Sequence, residues 1–587
     1  MSNKNYTGFD VDSLHEKYGK QKHESARYTL FLVILLLFHA VANLVWIYLN
    51  KNPLDFDPIG HTLISINSAE YVKTHILSFN LRDYMLFSPA YPNFTHTISL
   101  ILIFIFGNYW KVIQCTGTIF FLLTIFGTFL YVKEISRKPQ IAFLSAFFYS
   151  FFVSVVQYSR FHMLDIPLTA MIIFTMYFWE RLKKTGHYRY LYASAFTFAF
   201  AELTKWHAVI FLFVPALFLL IWAIKHKKFH STRFILHIVF CIGIIIILVL
   251  PWYYYNFENF IKLGAINFKG EADDPHNLLS SVNIFFYTRL IINYQIQFVG
   301  LLIFLYSSIK IALKKPSYMK ISLLSVLFNY AFFTFFVINK NIRVLFPVMP
   351  FIALILAFGA NELLRTTHKA FFLARTVFSA VMTYIVLSFF ILSFGIPFYP
   401  NVQITGHIPG FNELEVLYLH TYPVNLLYNA PAVNYESLVN TILRYKPYSD
   451  KPLQVVVAVN LLNFQNDHIL IELYRKYSDT ITYANTEILN KQITLTRLDQ
   501  LYDNFQNNND FESTYTLKQP LSSIDFIFTS LYNPIHPEQR LDALYTPIKT
   551  IQNYLLGESN DTFVPINREP LPNGDTVFLY INKKLLR

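Results

Sequence analysis

The stretch "QYSRFHMLDIPLTAMIIF" (Gln157–Phe174) places Arg160, His162 and Asp165 between two runs that read as hydrocarbon. Ionisable residues at membrane depth are expensive and by default mark a functional site. Each charge also has a plainer explanation. Arg160 can snorkel to an interface. Asp165 can cap the helix "IPLTAMIIF", with Pro167 in its first turn. The rest of the chain decides between these readings.

The chain has 587 residues, of which 54% are hydrophobic and 18% aromatic. Its mean hydropathy is +0.37. Soluble globular domains are rarely that apolar, so a polytopic α-helical membrane protein is expected. The net charge of +12 does not indicate a nucleic-acid partner, because the basic residues cluster in short loops between apolar runs. Such clustering encodes membrane topology. Cys115 and Cys241 both lie inside apolar segments, which excludes a disulfide framework. Residues 1–27 form a polar tail with no cleavable signal, so the first apolar helix is expected to remain as an anchor.

A spanning helix needs about 20 mostly apolar residues. That length predicts eleven spans, at 28–49, 110–132, 141–157, 166–180, 191–203, 207–224, 234–252, 297–313, 321–338, 344–361 and 376–396. The basic loops 133–140, 181–189, 225–233, 314–320 and 365–375 fall on one side if residues 95–107 form a short interfacial helix. The expected topology puts the N-terminus in the cytoplasm and the C-terminus outside, as in a bacterial inner membrane. The membrane domain is expected over 28–396. Beyond "GIPFYP", residues 397–587 are polar and Asn-rich. Strand-like "LQVVVAVN", "TITYAN", "DFIFTS" and "DTVFLYIN" alternate there with helical patterns such as "NDHILIELYRKYS", which predicts an extracytoplasmic α/β domain. "NFT" at Asn93 and "NDT" at Asn560 read as chance glycosylation matches.

With this topology the unusual polar residues share one face. "NPLDFDPIGH" supplies Asp55, Asp57 and His61, and "SAEYV" supplies Glu70. "YPNFTH" contributes His96, "ELTKWHA" Lys205 and His207, and "NKNIRVLFPVMP" Lys340 and Arg343. "GEADDPHN" (270–277) is polar but reads as a solvated loop. A carboxylate can accept a proton from an attacking hydroxyl. Cations beside it can hold a phosphate leaving group, Arg bidentately and Lys as a point charge. Asp55, Asp57, Asp165 and Glu70 also offer oxygen ligands for Mg²⁺ or Mn²⁺. Two other readings compete: a lipid-linked saccharide transporter or flippase, and a membrane-anchored assembly protein. A transporter would place polar residues at helix midplanes and carry repeated halves, and neither pattern is evident.

In their order and spacing, the first-loop acid, "YPNFTH", "SRFHMLDIPL", "ELTKW", "PWYYYN" and "NKNIRVLFPVMPF" resemble the integral-membrane glycosyltransferases of the C superfamily. Similar members are the protein O-mannosyltransferases and the aminoarabinose–lipid A transferases. The resemblance covers about residues 28–362. It implies inverting transfer of a sugar from a polyprenyl-phosphate donor to a lipid, glycan or protein acceptor on the outer face. Carried over, it implies Asp57 near catalysis, with Asp55 and Glu70 as alternatives and His61 beside it. Asp165 would orient Arg160 or the substrate, and Arg160, Lys205 and Arg343 would contact donor phosphate. The family's adjacent Asp-Glu pair is absent, since Phe56 separates Asp55 from Asp57.

Overall fold

A computed structural model describes residues 11–50, 56–107, 110–269, 277–365 and 371–394. In the C-terminal part it describes 403–405, 416–418, 434–445, 453–458, 493–496, 523–530, 545–557, 560–570 and 576–586. The expected elements "TITYAN" and "NDHILIELYRKYS" and the linker "GIPFYP" lie outside the described residues, as does Asp55.

The chain is a mostly helical membrane protein with a small C-terminal α/β unit. Among the described residues, eight helices are long and apolar enough to cross a membrane. They are His23–Leu49, Trp110–Ser136, Ala208–Lys225, Thr232–Ala265, Ser281–Lys314, Ser317–Phe335, Ile342–Leu364 and Phe372–Phe394. Each matches one expected span. The first helix already begins at Val11, so much of the expected polar tail is helical.

The other three expected spans are built differently. Residues 141–157 are not one helix: Pro139–Ser150 ends, Phe152 turns extended, and a short helix Val153–Tyr158 follows. The break is supported from outside. The Val155 N–H donates to Gln295 Oε1 at 3.4 Å, and Ser154 Oγ donates to the Tyr294 carbonyl at 2.8 Å. Gln295 and Tyr294 sit on the π-helical turn Ile292–Ile296, which supplies the partners a helix start leaves unmet. Helix Arg189–Glu202 has 14 residues. At 1.5 Å per residue it falls well short of a roughly 30 Å hydrocarbon core. Helix Asp165–Thr185 is long enough, but Glu180, Arg181, Lys183 and Lys184 crowd its last turns. Helix Phe94–Phe106, with 13 residues, is likewise too short to span.

Helix Trp110–Ser136 organises the core. A Cβ on Gly117 would lie 2.2 Å from the Phe161 carbonyl oxygen and 3.0 Å from that of Ser159. Only glycine allows the hairpin after Tyr158 to press so closely on this helix. At Gly127 the limiting neighbour is Ile173 Cγ2, 2.8 Å from the same hypothetical atom. The hairpin is then roofed over. Helices Phe56–Thr74, Leu81–Leu86 and Phe94–Phe106 precede Trp110–Ser136, and Ser159 through Leu164 are all buried. Trp252 and Asn256 of "PWYYYN" fasten this roof, donating to the carbonyls of Ser88 (3.0 Å) and Met85 (3.1 Å).

The C-terminal unit has a five-stranded mixed sheet. Leu453–Ala458 pairs in parallel with Ile493–Thr496 and with Phe526–Ser530. The latter pairs antiparallel with Thr576–Asn582, which pairs antiparallel with Phe563–Pro570. Leu438, Val439 and Ile442 of helix Tyr435–Arg444 cover one face, over Val455, Phe526, Phe528, Val577 and Leu579. Leu63 of the roof packs against the same cluster, which ties the C-terminal unit to the membrane domain. The expected strands "LQVVVAVN", "DFIFTS" and "DTVFLYIN" are all present.

Candidate active site

Two ion pairs from four separate segments meet under the roof. Arg343 Nη2 lies 2.6 Å from Asp57 Oδ2, and Lys205 Nζ lies 2.7 Å from Asp165 Oδ1. Asp57 is in the first turn of helix Phe56–Thr74, and Asp165 is the first residue of Asp165–Thr185. Both carboxylates therefore sit at positive helix ends. Lys205 follows helix Arg189–Glu202. Arg343 lies in the 3₁₀ segment Ile342–Val348, where Asn341 Oδ1 accepts from its backbone N–H (3.0 Å) and its Nε (3.2 Å). Tyr158 packs under the Arg343 guanidinium at 5.6 Å, and Tyr91 under the Lys205 ammonium at 5.5 Å.

The four charges differ in access. The Asp165 side chain is 1% exposed and that of Asp57 is 38% exposed. Burial pushes the Asp165 carboxyl up, but Lys205 and Arg343 outweigh it and hold the group below the usual carboxylate range. Asp165 Oδ2 is buried without a partner. The expectation that Asp165 caps its helix is not met: Leu164 occupies the cap and the carboxylate turns to Lys205.

Arg160 is not part of this group. Its Nε donates to Asn43 Oδ1 (3.0 Å) and its Nη2 to Ser393 Oγ (2.7 Å). The guanidinium stacks over Trp46 at 5.0 Å and Phe389 at 5.6 Å. It joins the first helix to the last membrane helix and is fully buried. Asp165 therefore orients Lys205 and not Arg160, because the two side chains leave the hairpin toward different neighbours.

Near the ion pairs lies a histidine cluster that sequence reasoning undervalued. His61 Nδ1 and His96 Nε2 are 3.2 Å apart, and His162 Nε2 is 3.0 Å from Ser65 Oγ. Ser65 donates to the His61 carbonyl at 3.1 Å, so the proton between Ser65 and His162 comes from the histidine. Burial pushes the His61 and His162 imidazoles well below their ordinary range and His96 down to about 3. All three are neutral at physiological pH. His162 is a strut between the roof and the hairpin. Nothing in "YPNFTH" could reveal that His96 pairs with His61, since the contact spans 35 residues.

The remaining candidates have structural partners. Glu70 is buried, with its carboxyl raised by burial and Oε2 unpartnered. Among the described residues, no hydrogen bond or ion pair joins it to Asp57. Lys340 donates to the carbonyls of Phe333 and Thr334, closing helix Lys320–Phe335. Asn93 is buried and donates to the Tyr84 carbonyl, as a core residue would. Among the described residues no group of three or more His, Cys, Asp or Glu side chains is arranged to hold a metal ion. Asp57 and Asp165 each face a cation, and Asp55, the other first-loop acid considered for a metal, lies outside the described residues.

The comparisons with known proteins agree with this architecture. Residues 91–255, which include Asp165 and Lys205, match the family model of dolichyl-phosphate-mannose–protein mannosyltransferases. No curated relative matches the chain by sequence. Among solved structures, ArnT from Cupriavidus metallidurans bound to undecaprenyl phosphate is similar, with a TM-score of 0.53 and 13% identity, over 94% of this chain and 98% of that one. ArnT from the same organism in the apo state is similar with a TM-score of 0.54 and 12% identity, over the same shares. Over nearly its whole length the chain has the fold of ArnT, and its residues 91–255 are similar to the mannosyltransferase family model.

Proposed function

We propose that this chain is an inverting glycosyltransferase that moves a sugar from a polyprenyl-phosphate carrier to a lipid, glycan or protein acceptor on the outer face of the membrane. The observation that carries this reading is the pairing of an accessible carboxylate, Asp57, with Arg343, next to the buried Asp165–Lys205 pair. ArnT, whose fold this chain shares, was solved with undecaprenyl phosphate bound, which supports the same carrier class here.

Asp57 is the general base. It takes the acceptor hydroxyl's proton while that oxygen attacks the anomeric carbon from the face opposite the phosphate. The bond from anomeric carbon to phosphate oxygen breaks, and the electron pair leaves with the polyprenyl phosphate. Arg343 and Lys205 stabilise the charge that develops there, each already oriented by a carboxylate. Asp165 holds Lys205 in place. In this topology the N-terminus is cytoplasmic and the C-terminal unit extracytoplasmic, in a bacterial inner membrane. No step is routed through a metal ion, and full activity after chelation is the expected result.

Mass spectrometry of surface glycans and glycolipids from cells with and without the protein tests the reading. One species should lose a single sugar when the protein is absent. Unchanged profiles with the protein demonstrably expressed would overturn it.

A further inference from the structure

The mechanism above uses none of the three clustered histidines. We propose that His61 is a neutral hydrogen-bond donor to the phosphate of the lipid-linked sugar, with its Nε2–H fixed in place by His96. The identity of the ligand rests on the sugar-transfer reading; the proton's position on the ring does not.

The protein's own hydrogen bonds fix that position. His61 Nδ1 and His96 Nε2 share one proton across 3.2 Å. His96 is fully buried, and its Nδ1 has no partner. If His61 donated from Nδ1, a neutral His96 would carry its proton on Nδ1, as a buried N–H with no acceptor. If His96 donates from Nε2, only a bare lone pair is left at its Nδ1. Orphaned buried N–H groups are rarer in proteins than under-satisfied acceptors. His96 is therefore the donor, and the His61 proton resides on Nε2.

That nitrogen is available. Among the described residues His61 Nε2 has no hydrogen-bond partner, and it is not sealed from solvent as His96 Nδ1 is. His61 is 8% exposed. Its ring lies 5.8 Å from that of Tyr91, the ring that supports Lys205. Lys205, Arg343, His96 and His162 all disfavour a proton added to His61, as burial does. A neutral N–H does not compete with Lys205 or Arg343 for Asp165 and Asp57. It adds a directed donor to an oxyanion drawn in by those cations, and such a bond strengthens as charge builds on the leaving phosphate. Ser65, bonded to the His61 carbonyl and to His162, holds the helix turn that aims the ring.

The test is ¹⁵N NMR of histidine-labelled protein in nanodiscs, with polyprenyl phosphate as the probe. His61 should show a protonated Nε2 and a bare Nδ1, and its Nε2 signal should move when polyprenyl phosphate is added. His61→Ala should weaken polyprenyl phosphate binding roughly ten- to a hundredfold. His61→Gln, whose amide nitrogen can stand near the Nε2 position, should restore most of that loss. A merely structural histidine would show no such rescue. A proton on Nδ1, or an imidazolium at neutral pH, overturns the tautomer. A correct tautomer with an unmoved signal, while the carrier binds, overturns the contact. If wild-type protein does not bind the carrier at all, the ligand assignment falls together with the sugar-transfer reading, while the tautomer result stands by itself.

Discussion

Replacing Lys205 with Met removes one partner of the most buried ion pair at the site. Asp165, with a side chain 1% exposed, would keep its charge with Arg343 and His207 as the remaining described groups that favour it. Breaking a buried pair from one side costs about 3–5 kcal/mol, because the remaining charge is left uncompensated. For a cooperative unit of roughly 350 residues, that corresponds to about 4–7 °C in apparent melting temperature. The double variant Asp165→Asn with Lys205→Met should recover much of the loss, since neither charge then remains. The pH dependence has a definite sign. In the wild type the folded-state pKa of Asp165 is depressed. Its stabilisation is present above the unfolded carboxylate value and is lost as pH falls through the folded value. In Lys205→Met, burial dominates and raises the carboxyl, so acidification from pH 7 toward 5 should relieve the destabilisation. Size-exclusion thermal-shift measurements in detergent at several pH values read all of this. Additive losses in the double variant, or destabilisation that does not respond to pH, would refute the account of Asp165 as a charge held by Lys205.

Arg343→Lys keeps the charge but cannot hold Asp57 and Asn341 together; kcat for sugar transfer should fall at least tenfold while the protein stays folded, as a transfer assay on monodisperse protein shows. Arg160→Met should cost about 2–4 kcal/mol in stability, from two lost hydrogen bonds and the stacking on Trp46. Polyprenyl phosphate affinity of its folded fraction should stay within about twofold, a change of about 0.4 kcal/mol; a larger loss would return Arg160 to the phosphate site. Gly117→Ala forces a methyl against the Phe161 carbonyl and should shift the hairpin, at about 1–3 kcal/mol, with loss of transfer activity. Wild-type melting temperature and activity in that variant would show that the close approach is relaxed elsewhere.

The spans and the partners at the site differ in how far sequence exposes them. Length and hydropathy locate eight long helices, because a membrane imposes a minimum run of apolar residues on each. The same rule fails at residues 141–157, where the helix break depends on Gln295 and Tyr294, about 140 positions away. Motif order brings Asp57, Asp165, Lys205 and Arg343 to one place, and the structure joins them in two pairs. It could not tell that Arg160, five residues before Asp165, points elsewhere. That choice is made by Asn43, Trp46 and Ser393, whose placement follows from packing of the first and last membrane helices. The buried hairpin shows the same limit. A polar loop is expected to be solvated, but this one is covered by helices of the first loop and fastened by Trp252 and Asn256. The His61–His96 pair could not be read from spacing, since it forms only once those helices fold over the hairpin.

The central claim is tested most directly by purified protein in nanodiscs, supplied with a polyprenyl-phosphate sugar and an acceptor mixture extracted from the host membrane. Mass spectrometry then follows the release of free polyprenyl phosphate. The account predicts release by the wild type and loss of at least a hundredfold in Asp57→Asn, about 2.7 kcal/mol of transition-state stabilisation, with folding and carrier binding unchanged. Equal release by the two proteins, or none from folded wild type under any acceptor condition, would contradict it.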